Sequence, residues 1–148
     1  MNDENVKSDV EHFGREWQKV MMLYSDYARS VGINYTTLQV LKYIAEIDSC
    51  TQKIICEQSF LPKQTVNSII TSLYKEEYIE LRELAEDRRA KSIHLTKSGK
   101  QYSDTISERL YKAEYQAMEN MTAEKRKNLL DCFHEYAELF QSQLFHNR

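Results

Sequence analysis

The hydrophobic period of this chain changes once and then changes back, and that switch constrains the fold more than any other feature. Up to about Lys75 apolar residues recur at helical spacing. From Ile79 they alternate with charged ones, Ile79-Glu80-Leu81-Arg82-Glu83-Leu84, as in a half-buried strand. A charged tip follows, Ala85-Glu86-Asp87-Arg88-Arg89-Ala90-Lys91, and Ser92-Ile93-His94-Leu95 returns as a second strand. After Thr96 helical spacing resumes. One hairpin set between helices is therefore predicted. With 3 Gly and 1 Pro in 148 residues, those helices are long and their connections short, because neither residue sits well inside a helix.

Ahead of the hairpin the spacing predicts helices in sequence. Ser8 and Glu11 have the separation of a capping box. Val10, Phe13, Trp17, Val20, Met21, Tyr24, Ala28 and Val31 then recur over about six turns, and Gly32 and Asn34 interrupt them. The second helix shows Leu38, Leu41, Ile44, Ala45 and Ile47 on its apolar side. Thr51 caps a short third helix through Ile54, Ile55 and Cys56, and Ser59-Phe60-Leu61 makes a turn. Pro62 lies in the first turn of a fourth helix, where its missing N–H is not needed; this helix buries Val66, Ile69, Ile70 and Leu73. Beyond the hairpin, Thr96 caps a helix through Tyr102, Ile106, Leu110, Ala113 and Ala117. Thr122 caps the last, with Leu129, Leu130, Phe133, Tyr136, Ala137, Phe140 and Leu144 as its stripe. The expected class is mainly α with a small β-hairpin.

Two short helices, a tight turn and a helix with a polar outer face make a helix-turn-helix, and a charged hairpin directly after it is a wing. A recognition helix needs an apolar inner stripe to hold it and short polar side chains outside to reach base edges. Gln64 and Asn67 are amides able to bond an adenine edge. Thr65, Ser68 and Thr71 offer hydroxyls or methyls, and Lys63 suits a phosphate or a guanine. At the wing tip Arg88, Arg89 and Lys91 surround Asp87. A guanidinium there could enter a narrow minor groove, with Asp87 accepting bonds from Arg89 to fix the wing's shape. The net charge of −3 does not oppose this, because the distribution decides. Residues 51–100 carry 9 basic and 7 acidic side chains, while the segments on either side are net acidic.

Asp87-Arg88-Arg89 followed by Leu95-Thr96-Lys97-Ser98-Gly99 is a D-x-R…L-T-x-x-G pattern. With Leu61-Pro62-Lys63-Gln64-Thr65-Val66 opening a helix that ends in Leu73, the stretch Gly32 to Tyr102 resembles the MarR family of bacterial regulators. The resemblance implies a homodimer binding a pseudo-palindromic operator in double-stranded DNA, usually repressing a nearby gene, often relieved by an effector. One departure stands out. Where that family usually has Gly after the recognition helix, this chain has Glu76-Glu77-Tyr78-Ile79, so Glu77 is expected at a left-handed backbone position with a strained or rearranged turn.

The resulting division is a winged helix-turn-helix over 33–99 and a helical dimerisation region over 6–32 and 100–146. The first and last helices carry stripes long enough to pair with a second copy; the alternative is that both fold back on their own domain. His12, Phe13, Trp17, Met21, Tyr24 and Tyr111 are candidates to line a pocket for a small aromatic or amphipathic effector; the alternative is plain core packing. Cys50, Cys56 and Cys132 show no paired spacing, so neither a zinc site nor a disulfide framework is expected, and a reduced compartment, the cytoplasm, fits. Thiol-based redox sensing stays open as a second reading. So does a winged-helix protein-interaction module that has lost DNA, which Glu80, Glu83 and Glu86 beside the wing favour. No cofactor, metal or enzyme is expected, since no P-loop, GxGxxG, GxSxG or HExxH pattern occurs. No apolar run is long enough to span a membrane, and the polar, acidic Met1–Asp9 is unlike a signal peptide.

Overall fold

In a computed structural model the described residues are 3–84 and 90–145. They form α1 (Asp3–Ser30), α2 (Tyr35–Glu46), α3 (Gln52–Ser59), α4 (Lys63–Lys75), β1 (Ile79–Glu83), β2 (Lys91–Leu95), α5 (Lys97–Glu119) and α6 (Ala123–Phe145). The order matches the periodicity, and the fold is a winged helix with flanking helices. The Asp87, Arg88 and Arg89 assignments fall outside the described residues.

Two compact units divide the chain, residues 1–107 and 108–148, with the boundary inside α5. The first unit holds the core. Leu38, Val40, Leu41 and Ile44 of α2, Ile55 of α3, the α4 stripe, Ile79 of β1, Ile93 of β2 and Ile106 of α5 are all buried. On α2 the expected face is turned slightly. Val40 is fully buried, whereas Ala45 is exposed and Ile47 is already the C-cap. Isoleucine and valine at adjacent turns attract burial more than alanine, which has little surface to remove from water.

Helix ends follow local chemistry. Asn34 caps α2 through its side-chain oxygen, which accepts from Thr37 N–H at 2.8 Å. Thr51 does the same for α3 (Ile54 N–H, 3.2 Å), Thr96 for α5 (Gly99 N–H, 3.0 Å) and Thr122 for α6 (Lys125 N–H, 3.2 Å). Two sequence expectations shift. Ser8 and Glu11 do not open α1, which is helical from Asp3; Glu4 places acidic charge near its positive end. Pro62 is the residue before α4 rather than inside its first turn, with φ −57 and ψ 138.

α1 and α4 end in the same way. At α1 Gly32 N–H donates to the Arg29 carbonyl (3.1 Å) and Ile33 N–H to Ala28 (3.0 Å), with Gly32 at φ 82. At α4 Glu77 N–H donates to Tyr74 (3.1 Å) and Tyr78 N–H to Leu73 (2.9 Å), with Glu77 at φ 58. Both are Schellman closures. The expected left-handed position is therefore occupied by Glu77, at a cost of about 1–2 kcal/mol for a residue with a Cβ.

The hairpin is antiparallel, with Ile79 opposite Leu95, Leu81 opposite Ile93 and Glu83 opposite Lys91. A bridge pairs Thr51 with Ser92, and Ile93 N–H donates to the Cys50 carbonyl at 2.7 Å. The wing thus continues into the segment before α3, a pairing too short to leave any alternation in the sequence.

In the second unit α6 has no buried residue, and Leu129, Leu130, Phe140 and Leu144 of its stripe are each about half-exposed or more. Arg126 donates to the carbonyls of Met118 (3.1 Å) and Met121 (2.6 Å), tying the α5–α6 turn. Among the described residues no helix is long and apolar enough to cross a membrane, and no group of His, Cys, Asp or Glu is placed to hold a metal ion.

Candidate nucleic-acid interface

α4 contains several β-branched residues, which are indifferent helix formers. Burial holds it instead. Val66, Ile69, Ile70 and Leu73 are at most 9% exposed, worth about 1.5–3 kcal/mol each. That stripe fixes the opposite face outward. Lys63, Gln64, Asn67, Ser68 and Thr71 are all exposed, and Thr65 is half-buried on the flank.

Two concave surfaces flank α4 and take in some of the predicted residues, while Gln64 and Thr65 line neither. On one side a groove of about 1020 Å³ runs between α3, α4 and the wing, taking in Lys63, Asn67, Thr71 and Lys91 together. Its apolar floor includes Ile54, Ile70, Leu81 and Ile93. On the other side a depression of about 400 Å³ contains Ser68 with Ser72, Asn34, Thr37 and Tyr102. Burial raises the Tyr102 hydroxyl above the usual tyrosine range, helped by nearby Tyr78 and Glu76. Thr71 already donates its hydroxyl to the Asn67 carbonyl at 2.8 Å, which leaves its methyl and its oxygen lone pairs for a ligand.

Lys75 was not among the expected residues. It is exposed, one helical turn beyond Thr71 on the same face, and extending the period by four would have included it. Gln52 was also missed. Its amide donates to the Lys63 carbonyl at 3.1 Å, bracing the start of α4 from the start of α3, and no local pattern announces that contact. Lys63, Lys75 and Lys91 form no ion pair among the described residues, whereas Lys53 lies 3.8 Å from Glu57. On β1 the Glu80 carboxylate is occupied by the Arg82 guanidinium, which offsets the acidic character that favoured a protein-binding wing.

The L-T-x-x-G part of the wing motif is a joint. Thr96 N–H donates to the Tyr78 carbonyl at 3.0 Å. The hydroxyls of Thr96 and Ser98 both donate to the Glu77 carbonyl, at 2.7 and 3.1 Å. Gly99 lies so close to Tyr78 that a Cβ would fall 1.7 Å from its carbonyl oxygen. The rings of Tyr78 and Tyr102 stack at 4.2 Å, 4° from parallel. Uncharged groups therefore lock the end of α4 and the wing to the start of α5.

The effector candidates are distributed over both units. Phe13, Met21 and Tyr24 are half-buried on α1, where Tyr24 is 5.7 Å from the Tyr35 ring. Trp17 is 47% exposed. His12 is exposed, 4.0 Å from Glu16. Tyr111 belongs to the second unit, is exposed, and packs its ring 6.3 Å from Tyr115. All three cysteines are free thiols. Cys50 is fully buried, and burial pushes its pKa up to about 11, the opposite of what a sensing thiolate needs.

Comparison with known proteins agrees with this architecture. A model of the MarR family matches residues 31–90. The HTH-type transcriptional regulator SarZ of Staphylococcus epidermidis is 26% identical over 114 residues, covering 77% of this chain and 76% of its own. Among solved structures, NMB1585, a MarR family regulator from Neisseria meningitidis, superposes with a TM-score of 0.80 at 25% identity, covering 95% of this chain and 99% of that one. The S. aureus MepR–DNA complex shares the fold with a TM-score of 0.72 at 17% identity, over 85% of this chain and 96% of that one.

Proposed function

We propose that this chain, which a MarR family model matches over residues 31–90 and whose fold superposes on MarR family regulators, is a DNA-binding transcriptional regulator of that family that acts as a homodimer in the cytoplasm and is not an enzyme. The observation that carries this reading is the outer face of α4. Lys63, Gln64, Asn67, Ser68, Thr71 and Lys75 form a continuous polar and basic surface over a buried stripe, with Lys91 of the wing beside it. Gln64, Asn67 and Ser68 read base edges in the major groove, Thr65 and Thr71 contribute hydroxyl or methyl contacts, and Lys63 and Lys75 bind phosphate. Lys91 extends the contact along the wing, and Arg88 and Arg89 are further candidate DNA contacts in the same segment of the sequence.

The exposed apolar side chains of α6, notably Leu129, Leu130 and Leu144, support pairing of two copies. A dimer sets two recognition helices about one DNA turn, ~34 Å, apart, so the operator is a pseudo-palindrome and occupancy represses the gene beside it. The aromatic side chains of α1 support release by a small aromatic or amphipathic effector.

Selection of duplexes from a random pool by the purified protein tests this. An enriched palindrome with half-sites about 10 base pairs apart is the expected result. Gln64→Ala then weakens the selected duplex by about 1–3 kcal/mol and relaxes preference at one position. Lys75→Ala weakens all sequences evenly and lowers the salt slope by about 1. Enrichment of no sequence over bulk DNA would refute the reading and leave the protein-interaction module in its place.

A further inference from the structure

The turn between α3 and α4 holds a residue that is unfavourable on two separate grounds. Phe60 ends α3 in the left-handed region, φ 56 and ψ 17, where a side chain with a Cβ is crowded and Gly or Asn is at ease. It is also 91% exposed, more than any other large hydrophobic side chain among the described residues. A polar residue would suit the water around it and the backbone beneath it better.

The backbone of the turn is held by hydrogen bonds on both sides of Phe60. Phe60 N–H donates to the Cys56 carbonyl at 3.1 Å. Leu61 N–H donates to Ser59 Oγ at 3.2 Å, and that hydroxyl donates to the Ile55 carbonyl at 2.6 Å. The turn therefore carries an exposed phenyl group just ahead of the start of α4. Lys63 and Gln64 follow three and four residues later, at the start of α4; the first intrahelical bond at this end is made by Val66 N–H, to the Pro62 carbonyl. An ammonium, an amide and helix-end N–H groups favour an anionic surface. A phenyl ring beside them requires that surface to have apolar spots as well. The wall of the DNA major groove has both, phosphate oxygens and thymine methyl groups.

We propose that Phe60 is an affinity-determining DNA contact that covers a thymine 5-methyl group at the edge of the half-site when α4 is seated. The inference rests on the DNA-binding reading above. It accounts for a strained, solvent-facing phenyl of which the free chain buries almost nothing.

The experiment uses the full chain and the duplex selected from a random pool. Fluorescence anisotropy gives Kd at fixed salt and across a salt series for the wild type, Phe60→Gly, Phe60→Asn and Phe60→Tyr. The same duplex is also made with each thymine replaced in turn by deoxyuridine, which removes only the methyl. Phe60→Gly and Phe60→Asn are expected to fold, by circular dichroism, and to bind about tenfold or more weakly, the loss of one buried ring. Their salt slope should equal that of the wild type, because no charge is removed. Phe60→Tyr keeps most of the affinity. One deoxyuridine position weakens the wild type about fourfold, one methyl's worth, and leaves Phe60→Gly unchanged. Binding by the Gly and Asn variants within twofold of wild type overturns the inference, as does equal sensitivity of wild type and Phe60→Gly to every deoxyuridine. A fall in the mass of the DNA-free protein on Phe60→Gly, read by sedimentation, overturns it in favour of a second copy covering the ring. Failure of the wild type to enrich any duplex overturns the DNA reading itself, and this inference with it.

Discussion

Gly99→Ala adds a single methyl group on the first turn of α5, and the structure makes it a severe change. The new Cβ would lie 1.7 Å from the Tyr78 carbonyl oxygen and 2.6 Å from its carbon, where ordinary contact begins at 3.4 Å. The obstacle is backbone, so no side-chain rotation relieves it. α5 must back away from the wing by about 1.7 Å. That displacement breaks the bonds from Thr96 N–H to Tyr78 and from the Thr96 and Ser98 hydroxyls to Glu77, each worth about 1 kcal/mol net. It also parts the stacked Tyr78 and Tyr102 rings, about 1 kcal/mol more. Alanine returns about 1 kcal/mol as the better helix former. The balance is a loss of about 3 kcal/mol. Gly14→Ala is the matched control, because nothing lies within 4 Å of a Cβ there, so the helix-propensity gain of about 1 kcal/mol stands alone. Urea unfolding followed by circular dichroism, at one fixed protein concentration because association shifts apparent stability, measures both. Opposite signs are expected, with the m-value unchanged. A Gly99→Ala loss under about 1 kcal/mol would show that the joint yields easily and that its hydrogen bonds survive the move, contrary to the reasoning.

Glu77→Gly removes the left-handed penalty at the end of α4 at the cost of a looser unfolded chain, and should raise the urea midpoint by about 0.5–1 kcal/mol equivalent; a fall would mean that the Glu77 side chain contributes more than its backbone strain costs. Cys50 gives a pH signature. Its pKa stands at about 11 in the folded chain against an ordinary 9.0, so its share of stability is full below pH 9 and is lost as pH rises through 11. The wild type should lose about 2 kcal/mol over that interval relative to Cys50→Ala. In the same folded protein, iodoacetamide should label exposed Cys132 while sparing Cys50; parallel pH curves or rapid labelling of Cys50 would contradict its burial.

What the sequence made legible was chemistry that closes within one element or one turn. Thr51, Thr96 and Thr122 announce helix starts because the cap and the amide it accepts from are three residues apart. The switch from helical to alternating period announces the wing because side-chain direction depends only on local backbone. The left-handed turn at Glu77 was legible through the family resemblance, which puts a glycine where this chain has Glu77. Ser8 and Glu11 met the same local rule and misled, since a helix already begun at Asp3 has no use for an internal cap. At α4 the polar face was read correctly as far as Thr71 but stopped short of Lys75. Gln52, the Thr51–Ser92 bridge and the closeness of Gly99 to Tyr78 were not legible, because each joins residues far apart in sequence through one atom pair.

Those illegible contacts have a consequence for the proposed interface. The candidate DNA face depends on the placement of the wing beside α4, and that placement is held by hydroxyls, backbone carbonyls, a glycine and two stacked rings. None of these carries charge at neutral pH. The positive groups on the face, Lys63, Lys75 and Lys91, take no part in holding it together. Salt should therefore weaken DNA binding by competing for phosphate while leaving the geometry of the face intact. A variant of the joint such as Gly99→Ala should do the reverse, reducing affinity for the selected duplex by misplacing the wing, with little change in the salt slope contributed by α4.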